Sequence, residues 1–247
     1  MERNCSLFGI NIAVGTKNEL YGRCAGMIGR GGAISTVNPE IMSNSLKLPE
    51  LREALSSSLC IPDGIGIELA LRMKGCKSER FPGVDLARAL LEGERCVHLG
   101  IIGGKEGIAE SAMQMLVMKH RNVIPEFSVC GYGIDYGTVS NLLSEVRPDV
   151  VFVCLGSPMQ ELFIKRMQPS SPRTLFIALG GSADIYSGEK ERAPSFICSL
   201  GLEWAWRMIR EPKRLKRLPA ILSFYVNLAK NHRKSVKIGK KAQKTNQ

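Results

Sequence analysis

Short apolar runs rich in Ile, Val, Phe and Cys alternate along the chain with segments whose apolar residues recur every three or four positions. The runs "AISTVN" (33–38), "LCIP" (59–62), "RCVHLGIIGGKEG" (95–107), "FSVCGYG" (127–133), "DVVFVCLGSP" (149–158) and "TLFIALGG" (174–181) read as strands leading into polar or glycine-rich turns. Helical spacing falls between them, over 40–57, 66–75, 84–93, 107–120, 138–146 and 160–167, with Gly75 and Gly93 as stops. This alternation predicts an α/β fold with a mostly parallel sheet and helices on both faces. Ligands of such sheets bind beyond the carboxyl ends of the strands. Asn38, Asp63, Gly103, Gly156 and Gly180 each follow a predicted strand, so one rim should carry them all.

Composition adds a division of charge. The 247 residues are 44% apolar and 23% charged, which suits one α/β domain with an appendage. The formal charge of +11 lies wholly in residues 201–247, which hold 13 Lys/Arg against 2 Asp/Glu. A neutral core over 1–200, a basic amphipathic appendage over 201–229 and a lysine-rich, disordered tail over 230–247 are therefore expected. Such an arm seeks an anionic surface: lipid, pyrophosphate or nucleic acid. Within it Leu202, Trp206 and Ile209 share a helical face, and Pro212 and Pro219 are expected to break the run into short pieces. The apolar stretch 218–229 with Phe224 and Tyr225 fits lipid better than phosphodiester, so no nucleic acid partner is expected.

The eight cysteines include no C-x-x-C pair and accompany only three histidines, which argues against zinc and reads as small core residues of a reduced, cytosolic protein. The uncharged runs 4–16 and 218–229 fall short of the roughly 18 apolar residues a membrane span needs, and the first lacks the basic start of a signal peptide.

Several stretches can carry chemistry. Asp63 in "IPDGIG" is either a turn residue or a carboxylate held at the rim. The glycines of "GIIGGKEG", Gly103 and Gly104 among them, either cradle a phosphate or make an ordinary strand-to-helix turn; the loop is neither a Walker A nor a complete dinucleotide fingerprint. Gln160 and Glu161 in "LGSPMQELF" either face the rim, where an amide can hold a sugar hydroxyl, or serve the helix start. Arg192 either meets a phosphate or braces the long loop after the last strand. No D-x-D pair is present to hold a divalent ion, so cationic side chains or helix dipoles are expected to face any diphosphate.

Taken in order, "STVNPEI", "IPDGIGI", "ERFPGVDL", "LGIIGGKEG", "LGSPMQE", "LGGSADIYSGEKERAP" and "GLEWAWRMIREPKRLKR" resemble the WecG/TagA/CpsF family of glycosyltransferases over about residues 8–220. The resemblance implies a Rossmann-like fold and inverting transfer from a UDP-sugar to a polyprenyl-diphosphate-linked saccharide, without metal or other cofactor. It implies an enzyme at the inner face of the cell membrane, serving teichoic acid or another surface polysaccharide, and leaves self-association open. By position it makes Asp63 the catalytic base, places Thr36, Asn38, Arg80, Gln160 and Glu161 at the substrates, and turns Arg207, Arg214 and Arg217 toward the diphosphate. N-acetylmannosamine is the expected sugar, with N-acetylmannosaminuronic acid or another UDP-hexose as alternatives. Met159 and Ala183, where the family usually has lysine and a bulky residue, leave that choice open. A nucleotide-dependent oxidoreductase and a non-catalytic basic binding protein are the more distant readings.

Overall fold

A computed structural model describes residues 3–93 and 95–245, with side chains described through Asn231. The uncharged N-terminal run forms a hairpin, Asn4–Leu7 (β1) and Ile10–Ala13 (β2), followed by Lys17–Ala25 (α1). Thr16 and Glu19 close a reciprocal capping box at the start of α1, which satisfies two amides the helix would otherwise orphan. Next come Gly32–Val37 (β3), Pro39–Ser45 (α2), Pro49–Ser56 (α3), Leu59–Pro62 (β4), Ile65–Met73 (α4) and Gly83–Leu91 (α5). The second half alternates regularly: Val97–Gly103 (β5), Ile108–Lys119 (α6), Val123–Val129 (β6), Tyr136–Val146 (α7), Val150–Cys154 (β7), Met159–Met167 (α8) and Leu175–Ala178 (β8).

The strands form one eight-stranded sheet in the order β1-β2-β4-β3-β8-β7-β5-β6. Only β1 against β2 is antiparallel; every other pairing is parallel. The α/β architecture expected from the alternation is therefore present. The register follows burial. Strands β7 and β8 are buried at every position because helices cover both faces, and a continuous apolar run suits that place. One core holds Ile34, Ile61, Leu99, Phe152 and Ile177 beneath α1, α5 and α6; residues of the opposite strand parity pack under α2, α3, α7 and α8. Because β2 to β8 all run the same way, the residues following β3, β4 and β8 emerge together at one rim.

The chain beyond β8 builds over that rim. Ser182–Tyr186 (α9) lies within the long loop, where no helix was predicted. Ser195–Leu200 (α10) and Glu203–Arg210 (α11) follow, then a 3-10 turn over Pro212–Arg217 and Leu218–Thr245 (α12). Pro219 does not break the run as expected. It sits in the first turn of α12, where its missing N–H has no helical partner to lose. Phe224 and Leu228 turn inward from α12 and join the core of β1, β2 and α2; Phe224 is fully buried and meets Phe8 edge-on, ring centroids 5.6 Å apart. The expectation of a disordered tail over 230–247 falls almost entirely outside the residues whose side chains are described.

The cysteines correct one expectation. Cys24, Cys60 and Cys154 are buried as read, and burial pushes each thiol up to about 12. Cys130 is only half-buried and Cys96 is exposed. Cys5 and Cys76 are joined in a disulfide, Cα atoms 6.4 Å apart, against the expectation of free thiols throughout. They are 71 residues apart in sequence, and the fold alone brings the hairpin to the loop after α4.

Phe224→Ala empties a site that cannot collapse easily between α12, α2 and the hairpin. It is expected to cost about 3–5 kcal/mol in urea unfolding. Leu222→Ala, two residues earlier on the exposed face, is expected to change stability by less than about 0.5 kcal/mol.

Candidate active site

The turn after β4 sets the geometry. The Asp63 amide donates to Val37 O at 2.8 Å, which continues the β3–β4 ladder one residue past the strand. Gly64 then takes φ +86°, a backbone region that L side chains enter only with strain, and α4 begins. The chain thus reverses immediately behind the carboxylate and leaves it at the rim. Both sequence readings of Asp63 meet here, since the turn is what places the carboxyl group.

Asp63 opens into a cavity of about 170 Å³. Thr36 and Asn38 line it from the end of β3, Arg80, Pro82, Gly83 and Val84 from the approach to α5, and Leu179 and Ser182 from the end of β8. The remaining wall comes from the appendage: Glu203, Trp204, Arg207 and Met208 of α11, Arg214 and Arg217 of the 3-10 turn, and Ile221 of α12. Thr36 Oγ1 donates to Ala178 O at 3.1 Å and so ties β3 to β8 beneath the site. Asn38, which lines the cavity, also caps α2: its Oδ1 accepts from the Ile41 amide at 3.0 Å. Arg80 Nη2 donates to the carbonyls of Cys198 and Ser199, fastening α10 to the core.

Charge in the cavity is nearly balanced. Three carboxylates (Glu40, Asp63, Glu203) face four guanidiniums (Arg80, Arg207, Arg214, Arg217). Arg207 pairs with Glu203, Arg217 with Glu40 at 3.3 Å, and Arg214 with Glu211 at 3.1 Å. The Asp63 carboxylate makes no hydrogen bond or ion pair among the described residues. Loss of water around it, followed by the nearby Glu203 carboxylate, raises its pKa from the usual carboxylate range to about 7, against the opposing pull of Arg207. A carboxyl group poised near neutrality and unpaired in a cavity is suited to accept a proton.

Seven sequence-predicted residues therefore meet around one space: Thr36, Asn38, Asp63, Arg80, Arg207, Arg214 and Arg217. Four do not line it. Gln160 and Glu161 are buried behind the rim. Gln160 Oε1 accepts from the Gly180 amide at 2.8 Å and its Nε2 donates to Glu161 at 2.9 Å, so the pair supports the loop that follows β8. Burial raises the pKa of Glu161. Gly103 and Gly104 sit at the end of β5. Both take positive φ, +138° and +75°, and a Cβ on Gly103 would run into the Cys154 backbone, so the turn and its packing favour glycine at both. Arg192 takes the bracing role, gripping Asp85 through Nη1 and Nη2 at 2.6 and 2.7 Å.

Glu40, Glu203, Trp204 and Met208 were missed by sequence reasoning. For Glu203 a signal existed: it stands four residues before Arg207, the favourable order for an ion pair along a helix.

Residues 5–237 match the model of the Glycosyl transferase WecG/TagA/CpsF family. The chain is also similar to the N-acetylglucosaminyldiphosphoundecaprenol N-acetyl-beta-D-mannosaminyltransferase of Bacillus subtilis (strain 168), 33% identical over 82% of this chain and 81% of that protein. The protein of the same name from Bacillus spizizenii is 32% identical over 84% and 82% of the two chains, and that of Staphylococcus aureus (strain MW2) 29% over 81% of each.

The raised pKa of Asp63 has a stability consequence of definite sign. A carboxyl group that is harder to ionise when folded favours the folded state below its unfolded value near 4, and loses that contribution as pH rises through about 7. Asp63→Asn removes the dependence. Its melting temperature is expected to exceed that of the wild type at pH 8, with the gap narrowing steadily toward pH 5 in thermal scans.

Proposed function

The chain belongs to the Glycosyl transferase WecG/TagA/CpsF family, and on that footing we propose that it transfers N-acetylmannosamine from a UDP-sugar to an undecaprenyl-diphosphate-linked N-acetylglucosamine. The names of its relatives give this acceptor and this sugar. The observation that carries the reading is the unpaired Asp63 carboxylate among four cavity guanidiniums. The chemistry needs both. Asp63 takes the proton of the acceptor hydroxyl as its oxygen bonds to the anomeric carbon; the bond from that carbon to the UDP oxygen breaks on the opposite face, with inversion. Arg80 is the cavity arginine that meets only neutral carbonyls, so its charge is available to the diphosphate that departs.

Thr36 and Asn38 offer a hydroxyl and an amide to the sugar beside Asp63, and Gln160 with Glu161 keeps the Gly180 loop in place behind it. The loop of Gly103 and Gly104 lies on the same rim, three strand spacings from β3, or about 14 Å. An extended nucleotide sugar bridges such a span, which places its nucleotide end near this loop.

Arg207, Arg214 and Arg217 face the cavity from the appendage and suit the diphosphate of the lipid acceptor. Beside the appendage wall Phe196, Leu200, Trp204, Ile209, Leu222 and Val226 are exposed, interspersed with exposed Lys213, Lys216 and Arg210. No helix among the described residues is long and apolar enough to cross a membrane. The pattern fits a surface resting on anionic lipid at the cytoplasmic face, where the acceptor is anchored.

The test is incubation with synthetic polyprenyl-diphosphate-N-acetylglucosamine and a panel of UDP-sugars, with released UDP as readout. UDP-N-acetylmannosamine is expected to be turned over fastest, and Asp63→Asn to lower kcat by about 100-fold or more. No UDP release with any donor, or full turnover by Asp63→Asn, overturns the reading. Arg214→Ala and Arg217→Ala are each expected to raise KM for the lipid acceptor about 10-fold while leaving that for the donor nearly unchanged.

A further inference from the structure

Two carboxylates of the site, Asp63 and Glu203, share one cavity with the Arg207 guanidinium. Glu203 and Arg207 lie one turn apart on α11, and Arg207 Nη2 donates to Glu203 Oε1. Both side chains line the cavity that contains Asp63. Glu203 is fixed from the core as well. Arg192 holds Asp85 of α5 through two hydrogen bonds and reaches Glu203 Oε2 at 3.8 Å, and Cys198 Sγ lies 3.7 Å from the same oxygen. The helix, the loop before α10 and α5 thus converge on this carboxylate.

The remaining carboxylates of the cavity are Glu40, already engaged by Arg217, and Asp63. Without Glu203, the Arg207 guanidinium has Asp63 as its open partner. Such a pair would tie up the carboxylate oxygens and stabilise their charged form, which weakens a base. The charged groups around Asp63 are Glu203 and Arg207 from α11, Asp85 from α5 and Arg192 from the loop. Arg80, Arg214 and Arg217 line the same cavity with Glu40 to offset them, so cations already prevail there and loss of the Glu203 charge tips the balance further toward them.

We propose that Glu203 is a positioning residue of the transfer reaction: by holding Arg207 it keeps Asp63 unpaired and free to take the acceptor proton, while the other N–H groups of Arg207 stay turned to the substrate diphosphate. This rests on the reading of Asp63 as the base. It assigns α11 a second task beyond supplying cations, because the appendage then sets the basicity of a carboxylate carried by the sheet.

The experiment follows kcat/KM against pH from 5 to 9 for the wild type, Glu203→Gln, Glu203→Asp and Arg192→Gln, with UDP-sugar and synthetic polyprenyl-diphosphate acceptor. Glu203→Gln is expected to move the acidic limb toward lower pH by about half a unit or more, and to lower kcat at pH 8 about 10-fold. Glu203→Asp is expected to restore part of both. Arg192→Gln loosens the same tether between core and appendage but removes a cation that favours the Asp63 carboxylate, so its acidic limb should move toward higher pH, opposite to that of Glu203→Gln. A Glu203→Gln limb that does not move, or Glu203→Gln and Arg192→Gln profiles that coincide, overturns the proposal and leaves Glu203 a purely structural tie. Asp63→Asn in the same series separates the two levels. If it is inactive while the Glu203→Gln limb stays in place, only the role of Glu203 fails; if it turns over normally, the base assignment fails first.

Discussion

An ionisable group without a partner, held where water is scarce, is costly, and the Asp63 carboxyl is such a group. The fold tolerates it because the surrounding charges nearly cancel. Glu203 and Asp85 oppose Arg207 and Arg192, and each of these four is engaged with another of them. The sheet supplies only part of this arrangement. Asp63 and Asp85 belong to the core, whereas Arg207 and Glu203 come from α11, which follows the last strand by more than 20 residues. The electrostatic setting of the carboxylate therefore depends on a segment outside the sheet, and the contacts that dock this segment are part of the chemistry.

Those contacts are of two kinds. Phe224 and Leu228 bury apolar surface between α12 and the hairpin, a non-directional attachment that supplies affinity. Arg80 to the carbonyls of α10, Arg217 to Glu40 and Arg192 to Glu203 are directional and fix orientation. Partly exposed ion pairs contribute little net stability. Their value here is orientation: Arg80 and Arg217 are held as cavity-lining cations at defined places, and Arg192 fixes the cavity-lining Glu203. Those paired with a carboxylate can exchange it for a phosphate oxygen of the same charge and similar geometry, so binding need not leave an arginine unpartnered at any stage.

The strands and the shared rim were legible in the sequence because buried parallel strands are continuous apolar runs, and parallel direction forces their carboxyl ends together. "VVFVC" and "LFIA" could hardly belong elsewhere. Asp63, Thr36 and Asn38 were placed by that rule together with the family motifs. The β1–β2 hairpin was not foreseen, since its four-residue strands offer too short an alternation, and the Cys5–Cys76 pairing depends on a 71-residue closure that spacing does not encode. Glu203 escaped notice for a different reason. Sequence reading sought cations to meet a diphosphate and treated an acidic residue in a basic arm as incidental. The inward turn of Gln160 and Glu161 was equally hidden, because a first-turn position does not say which face of the sheet a side chain meets.

The division of charge along the chain takes on physical meaning from this geometry. A neutral body with a basic arm suggested simple attraction to an anionic surface, yet much of the basic charge before residue 218 is already matched within the molecule. Arg207, Arg210, Arg214 and Arg217 each have an acidic partner, while the side chains of Lys213 and Lys216 are exposed. Three of the four cavity arginines are thus held in place by acidic partners, whereas Lys213 and Lys216 are exposed, as are the apolar Ile209 and Leu222. Under the proposed function this sorting turns Arg207, Arg214 and Arg217 to the acceptor diphosphate, while Lys213, Lys216 and the ion-paired Arg210 lie outward with the apolar side chains.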